Sequence, residues 1–586
     1  MWAPAAERAV VQIVGADPSD HAMKRDSEGV FSCIAPSLAA GTDYLIRLDD
    51  NDGRPDPASR HQPHGVHGPS RIVDPTFEWH DADWPGRQMA DLIIYELHVG
   101  TFTAEGTFDG VVARLDHLVA LGVTAIELMP VAEFPGARNW GYDGVALYAP
   151  SSAYGGPDGL RRLVDAAHAR GLSVVLDVVY NHVGPEGNYL NEFGPYFTDR
   201  YRTPWGNALN YDDSGSDEVR RFVIENALYW ISEFHVDALR LDAVHAIYDF
   251  SARHVLAELG DAVHALGEQL GRRALVIAES DLNDPRVVRP PGNGGWGLDA
   301  QWSDDFHHAL HVTLTRERRG YYSDFSGVAD LATAIGERFV YAGRHSAHRG
   351  RRHGAPALEV PADRFVVAAQ NHDQVGNRAA GERLASLVPL DACRTAAALT
   401  LLSPYVPLLF MGEEWGETNP FLYFVSHGDR ALLDAVRRGR REEFASFGWD
   451  EEVPDPGDED TFWRSKLEWG KRTARGHAGM LRLYGDLIRL RRDEPILRPG
   501  GAAIDSGADE SAGWLQVRLG GDDRHALLIV AAFGAERSDK RVPLVPGSWD
   551  IVLATDAIRY EGSGRVEYDG SAILLPGTSA AVLRAG

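Results

Sequence analysis

Residues 237–245 read Asp237-Ala238-Leu239-Arg240-Leu241-Asp242-Ala243-Val244-His245, a short apolar strand that carries Arg240 and ends on Asp242 and His245. Three other stretches share the design: Asp177-Val178-Val179-Tyr180-Asn181-His182, Ile277-Ala278-Glu279-Ser280-Asp281 and Gln370-Asn371-His372-Asp373-Gln374. Each places ionisable groups where a buried strand is ending. Carboxylates and imidazoles cannot stay unpaired in a dry interior, so four such ends converge on one cleft. A TIM barrel gathers them in this way, because its active site lies at the C-terminal ends of its strands.

The flanking sequence supports that architecture. Leu92 to Leu97, Val123 to Met129, Ser173 to Tyr180, Val236 to Leu241, Ala274 to Ala278, Phe365 to Ala369 and Pro407 to Met411 read as buried strands, and Leu298 to Trp302 supplies the weakest of eight. Helical spacing runs between them. Thr107 to Leu121 closes at Gly122, a second helix is capped by Asp158 and ends at Gly171, and a third spans 217–235. Residues 181–216 form a turn-rich excursion of the kind that binds substrate. Before about residue 88, short alternating runs (Ala9 to Val14, Thr42 to Leu48) separated by turns predict a β-sandwich. After about residue 500, alternation returns at Gly513 to Leu519, His525 to Ala531, Gly547 to Leu553 and Ala572 to Leu575. The expected class is therefore α/β: a (β/α)8 barrel over 89–500, flanked by an N-terminal β-sandwich over 1–88 and a C-terminal one over 501–586.

Composition narrows the function. The 586 residues carry 58 Lys plus Arg against 85 Asp plus Glu, a net charge of −27. Such a surface repels phosphate backbones and argues against nucleic acid as a partner, whereas a neutral, hydroxyl-rich substrate is compatible with it. Two distant cysteines, Cys33 and Cys393, exclude a disulfide framework and suit a reducing cytoplasm. No run of about 18 apolar residues is present, and the N-terminus lacks a signal-peptide pattern, so no membrane association is expected. The Arg/His-rich patch at Arg344 to Arg352 reads as a solvated loop.

The converging groups are three carboxylates, an arginine and several histidines, with no phosphate-binding glycine loop, zinc motif or nucleophile elbow beside them. Glycoside cleavage needs two carboxyl groups flanking the bond. An arginine next to Asp242 would keep it ionised as a nucleophile. Partial desolvation would raise Glu279 as an acid.

In order and spacing, the four stretches resemble the signature regions of the α-amylase family of glycoside hydrolases. The resemblance implies Asp242 as nucleophile, Glu279 as general acid/base and Asp373 as the third, substrate-holding carboxylate. It implies Arg240, His182 and His372 around the reacting glucose, with Tyr142 stacked beneath it. The side motifs are most similar to those of malto-oligosyltrehalose trehalohydrolases, among them Glu127-Leu128-Met129-Pro130, Thr203-Pro204-Trp205-Gly206, Asp304-Asp305-Phe306-His307-His308 and Phe410-Met411-Gly412-Glu413-Glu414-Trp415. Ala238 and Ser280 depart from the usual glycine and asparagine. Where family members usually have a strand before the Trp-Ala-Pro motif, this sequence opens on Trp2-Ala3-Pro4, so the expectation is either a first module without that edge strand or a start codon that lies upstream. The substrate implied is malto-oligosyltrehalose, cut at the α-1,4 bond next to the terminal trehalose. The implied functional partner is malto-oligosyltrehalose synthase, and no cofactor or metal is implied. Asp304, Asp305, His307 and His308, with Gln374, are expected to meet the sugar on the leaving-group side, and His245 is expected to bind substrate.

Blander readings stand beside these. Asp177, Glu96 and His98 read as supporting residues. Asn181 lies where some amylases bind calcium, but isolated oxygen ligands do not make a site for an ion that takes six to eight. Trp140 and Trp205 are equally readable as core or as sugar-stacking surfaces, and Trp302 and Trp415 are readable either way too. A branching or debranching enzyme of the same family is the alternative activity. A glucan-binding protein with a dead site is disfavoured by the intact charged set.

Overall fold

Eight parallel strands pair in chain order and close into a barrel: β1 (Ile94–Leu97), β2 (Ala125–Leu128), β3 (Ser173–Val178), β4 (Ala238–Leu241), β5 (Leu275–Ala278), β6 (Ala300–Trp302), β7 (Phe365–Ala368) and β8 (Val406–Phe410). The computed structural model describes residues 1–36, 38–446, 453–520, 525–534 and 538–586.

The two-residue period of a strand explains how an apolar barrel acquires a charged mouth. Ile94, Ala125, Val175 and Ala238 all belong to the inner core cluster. Two residues further along each strand stand Glu96, Glu127, Asp177 and Arg240, on the same inner face and one layer nearer the C-terminal ends. Register pairs Glu96 with Glu127 and Asp177 with Arg240.

Local chemistry corrects two helix boundaries. The stretch after Thr107 is two helices, Phe108–Val112 and Leu115–Leu121, because the Arg114 N–H bonds back to Val111 in a tighter turn. Thr107 does cap the first, and Gly122, at φ 101°, closes the second. Asp158 is not a cap. The helix starts at Gly156 after Gly155 (φ 116°), so Asp158 lies in the first turn, where a carboxylate meets the helix dipole.

The flanking sheets are antiparallel. At the N-terminal side four strands are ordered Ser19–Ala22, Ala9–Val14, Asp43–Leu48, Ser70–Arg71. The C-terminal five-stranded sheet is ordered Ile504–Asp509, Trp514–Leu519, Leu527–Ala532, Ser579–Ala585, Trp549–Ala554, and a three-stranded sheet shares a core with it. The alternation misses Asp539–Pro543 and Ser579–Ala585, the first largely exposed and the second rich in small residues. Among the described residues, no helix is long and apolar enough to cross a membrane.

Candidate active site

Arg240 organises the mouth of the barrel. It is 1% exposed, and its Nη1 donates to Asp177 Oδ2 (2.6 Å) and Asp242 Oδ1 (3.0 Å), while Nη2 donates to Glu279 Oε2 (2.9 Å). Its guanidinium lies 4.4 Å from the centre of the Trp302 ring, a cation–π contact that fixes its plane. One cation thus holds three acids, where the sequence suggested only one.

Asp242 is clamped at both oxygens. Asn181 Nδ2 donates to Oδ2 (2.6 Å) and to the Asp242 carbonyl (2.8 Å). The chain then turns sharply at Ala243, whose φ of 42° is rare for a residue with a Cβ. That turn aims the Ala243 N–H at Glu279 Oε2 (2.7 Å). Glu279 Oε2 therefore accepts two bonds, and none is made to Oε1 among the described residues. Burial pushes the Glu279 carboxyl up to about 8 against the pull of Arg240, and the charges of Asp242 and Asp373 add to the rise. A proton on Oε1 is the arrangement an acid catalyst requires.

A second chain of bonds reaches Arg240 through Tyr142. The Tyr142 hydroxyl donates to Asp177 Oδ2 (2.7 Å) and meets His372 Nε2 (2.7 Å), and its ring stacks on that imidazole at 5.3 Å. His372 Nδ1 lies 2.5 Å from Glu96 Oε1, and its backbone N–H donates to Oε2 (2.9 Å). Burial opposes charge on His372, but the Glu96 carboxylate outweighs it and lifts the imidazole to about 9. Asp177 is raised to about 6 by burial, with Arg240 opposing.

Asp373 lies in the first turn of the helix His372–Gly376, which is capped by Asn371 with Gln374 in a reciprocal capping box. It accepts from Asn377 Nδ2 (2.6 Å) and remains partly exposed. His182 contacts Asn181 Oδ1 and the Tyr142 carbonyl, and Trp205, 51% exposed, stacks on its ring at 4.3 Å and 3°. Trp140 is a core residue: it is buried, donates to the Leu422 carbonyl and stacks on Phe421.

The segment 304–308 divides by helical geometry. It opens the helix Asp304–Thr315, in which residues four apart share a face. Asp304 and His308 share one, and both are partly exposed. Burial, then the charges of Asp373 and Asp281, raise Asp304 to about 7, and burial lowers His308 to about 3. Asp305 and His307, expected at the sugar, are instead spent inside the wall. Asp305 Oδ2 accepts from Asn283 and from the N–H groups of Val340 and Tyr341, while His307 lies between the Ala369 carbonyl (2.7 Å) and the Tyr322 hydroxyl (2.9 Å). Gln374 is also committed: its Oε1 accepts from the Asn371 N–H and its Nε2 donates to Asp304 Oδ1 (3.1 Å). His245 accepts from the Asp281 N–H (3.2 Å), and burial holds its imidazole below the usual value.

Sequence reasoning missed the parts played by Asn181, Arg349 and Glu127. Asn181, weighed only against calcium, orients Asp242. Arg349, read as solvated, reaches across to Asp281, with Nη1 at 2.8 Å from Oδ2. Arg344 of the same patch pairs with Asp330 (2.9 Å). Glu127 is fully buried with neither oxygen hydrogen-bonded, and burial, then the Glu96 charge, drive its carboxyl well above the usual range. Only the motif that holds Asn181 gave a usable signal.

The alpha-amylase catalytic-domain model matches residues 64–205. A malto-oligosyltrehalose trehalohydrolase from Saccharolobus solfataricus is 49% identical over 521 residues, covering 89% of each chain. Another from Arthrobacter ramosus is 48% identical over 518 residues, covering 88% of this chain and 89% of its own. A crystal structure of a provisionally named alpha amylase from Salmonella typhimurium superposes with a TM-score of 0.88 at 39% identity, covering 100% of this chain and 97% of that one. With this identity over nearly the whole length, the chain belongs to the malto-oligosyltrehalose trehalohydrolases of the α-amylase family.

Proposed function

We propose that this enzyme hydrolyses the α-1,4 bond next to the terminal trehalose of a malto-oligosyltrehalose, with retention, releasing trehalose and a malto-oligosaccharide. The observation that carries the chemistry is that one buried guanidinium bonds both Asp242 and Glu279. Asp242 attacks the anomeric carbon as Glu279 Oε1 gives its proton to the departing oxygen. A covalent glycosyl-enzyme forms, and Glu279, now a base, takes a proton from the water that releases the sugar. Asp373, partly exposed beside the mouth, holds sugar hydroxyls. The ring of Tyr142 supports the reacting glucose while its hydroxyl stays committed to Asp177.

Selection of the trehalose end falls to Asp304, His308 and His245, with Gln374 positioning Asp304 and Arg349 positioning Asp281. A bent α,α-1,1 disaccharide satisfies these groups, whereas a straight maltose end leaves some of them desolvated and unpaired. The division into 1–88, 89–500 and 501–586 belongs to the same proposal, with the excursion 181–216 serving the site. So does a cytoplasmic setting, supported by unpaired Cys33 and Cys393. The substrate would come from the synthase that makes trehalose-ended glucans.

Maltotriosyl-trehalose and maltopentaose contain the same number of glucose units, so their kcat/KM values test the reading. A preference of roughly a hundredfold or more for the former is expected, with trehalose and maltotriose as products. Equal rates, or branched products from longer glucans, would overturn it.

A further inference from the structure

Beyond the cleft, the same end of the barrel carries an aromatic surface that the reaction does not use. Phe250 is 77% exposed, on the segment that follows β4. Its ring lies 5.8 Å from Tyr201, which stacks on Tyr248 at 5.2 Å and 20°. Tyr201 belongs to the excursion hairpin Phe197–Thr203/Gly206–Leu209. Both segments leave C-terminal strand ends, so the three rings sit on the active-site face.

The cluster is held, not floppy. Asp212, whose side chain is 4% exposed, accepts through Oδ2 from both the Tyr201 hydroxyl (2.9 Å) and the Phe250 N–H (2.9 Å). Arg200 pairs with the other Asp212 oxygen (3.4 Å) and lies 5.2 Å from the Tyr201 ring centre. A buried carboxylate thus fixes two elements, with Phe250 exposed and the rings of Tyr201 and Tyr248 half-buried beside it. The same hairpin carries Trp205, already stacked on His182 of the site. The surface is therefore continuous with the cleft through one hairpin.

We propose that Tyr201, Tyr248 and Phe250 form a platform for a stretch of α-1,4-glucan chain outside the reacting subsites. This rests on the function proposed above. Sugar rings present flat C–H faces that pack on aromatic rings, and their hydroxyls reach neighbouring charged groups. Arg200 at the edge supplies such a group. The platform would hold long chains near the mouth without taking part in cleavage.

The test uses the full-length Asp242→Asn protein, which blocks turnover, on native gels containing soluble amylose. Adding Phe250→Ala or Tyr201→Ala should weaken retardation by about fivefold. In the protein with Asp242 intact, the same substitutions should leave kcat/KM on maltosyl-trehalose within twofold, and Phe250→Tyr should restore retardation. Retardation indifferent to Phe250 and Tyr201, or self-association that these substitutions abolish while amylose binding persists, would overturn the platform. Absence of activity on malto-oligosyltrehalose, with retardation still dependent on Phe250, would break the functional reading and leave the platform standing.

Discussion

At the N-terminal ends of the barrel strands, His168 lies between Asp81 (2.7 Å) and Asp237 (2.9 Å), and Asp81 also pairs with His235 (2.8 Å). Asp237 further accepts from the Trp84 indole and the Val174 N–H, both at 2.7 Å, and Trp84 stacks on His168. At the C-terminal ends, Arg240 is shared by Asp177, Asp242 and Glu279. Both clusters are buried charges, yet they differ in balance. In the lower one, no side-chain polar atom of His168, Asp81 or Asp237 is left buried without a partner. In the upper one, Asp177 Oδ1, Arg240 Nε and both oxygens of Glu127 are left so. Acids outnumber the cations that serve them, and this crowding adds to burial in keeping the proton on Glu279. A balanced cluster ties elements together, whereas a deliberately unbalanced one tunes proton affinity for chemistry.

The largest effect that sharpens this contrast comes from the upper cluster. Asp242→Asn or Glu279→Gln should lower kcat on malto-oligosyltrehalose by about 10⁴-fold or more, since each removes a group acting in the bond-breaking step. Thermal unfolding should change little for Glu279→Gln, whose carboxyl is already neutral, and change little or rise for Asp242→Asn, where like-charge crowding is relieved. A large loss of Tm with either substitution would erase the difference between the clusters.

His168→Gln should do the reverse, costing about 3 kcal/mol by removing the cation that Asp81 and Asp237 share, with Asp81 left to His235 and Asp237 to the Trp84 and Val174 N–H groups, while leaving kcat unchanged. The cost depends on pH in a definite direction. Burial works against charge on His168, but Asp237 and Asp81 outweigh it and raise its pKa. Its contribution is therefore complete below about 6.5 and fades as pH rises through the elevated value. Burial likewise opposes charge on Asp81, but His168 and His235 outweigh it and hold the carboxyl far below the usual range, so its share fades only in strong acid. The Tm gap between wild type and His168→Gln should be widest below about pH 6.5 and shrink as pH rises through the elevated pKa of His168. A pH-independent gap would contradict the ion-pair account.

The smallest effect is at Glu127. A carboxyl already neutral loses nothing on becoming an amide of the same shape. Glu127→Gln should therefore stay within about 1 kcal/mol of wild-type stability and twofold of its kcat. A hundredfold loss would show that Glu127 is ionised and works as a charge.

Much of this was legible in the sequence because the barrel writes itself in apolar runs that end on ionisable groups. β6 was the exception. Its three residues, Ala300–Trp302, are too short to carry a period. The convergence of Asp242, Glu279 and Arg240 was readable from residue types at strand ends. Which of Asp304 to His308 face the cleft was not, since that depends on where the helix begins. Arg349 was beyond local reasoning because its partner, Asp281, lies 68 residues away. The left-handed turn at Ala243 was also hidden, as alanine does not advertise a positive φ.

The claim that burial, with the crowded acids at the mouth, keeps Glu279 protonated can be tested by the pH dependence of kcat/KM on malto-oligosyltrehalose. The free enzyme's acid sets the alkaline limb. With Glu279 held at about 8, activity should be full at pH 7 and fall tenfold per pH unit above pH 8. The limb should be absent from the residual activity of Glu279→Gln. An alkaline limb near pH 5, or one that persists unchanged in Glu279→Gln, would contradict the account.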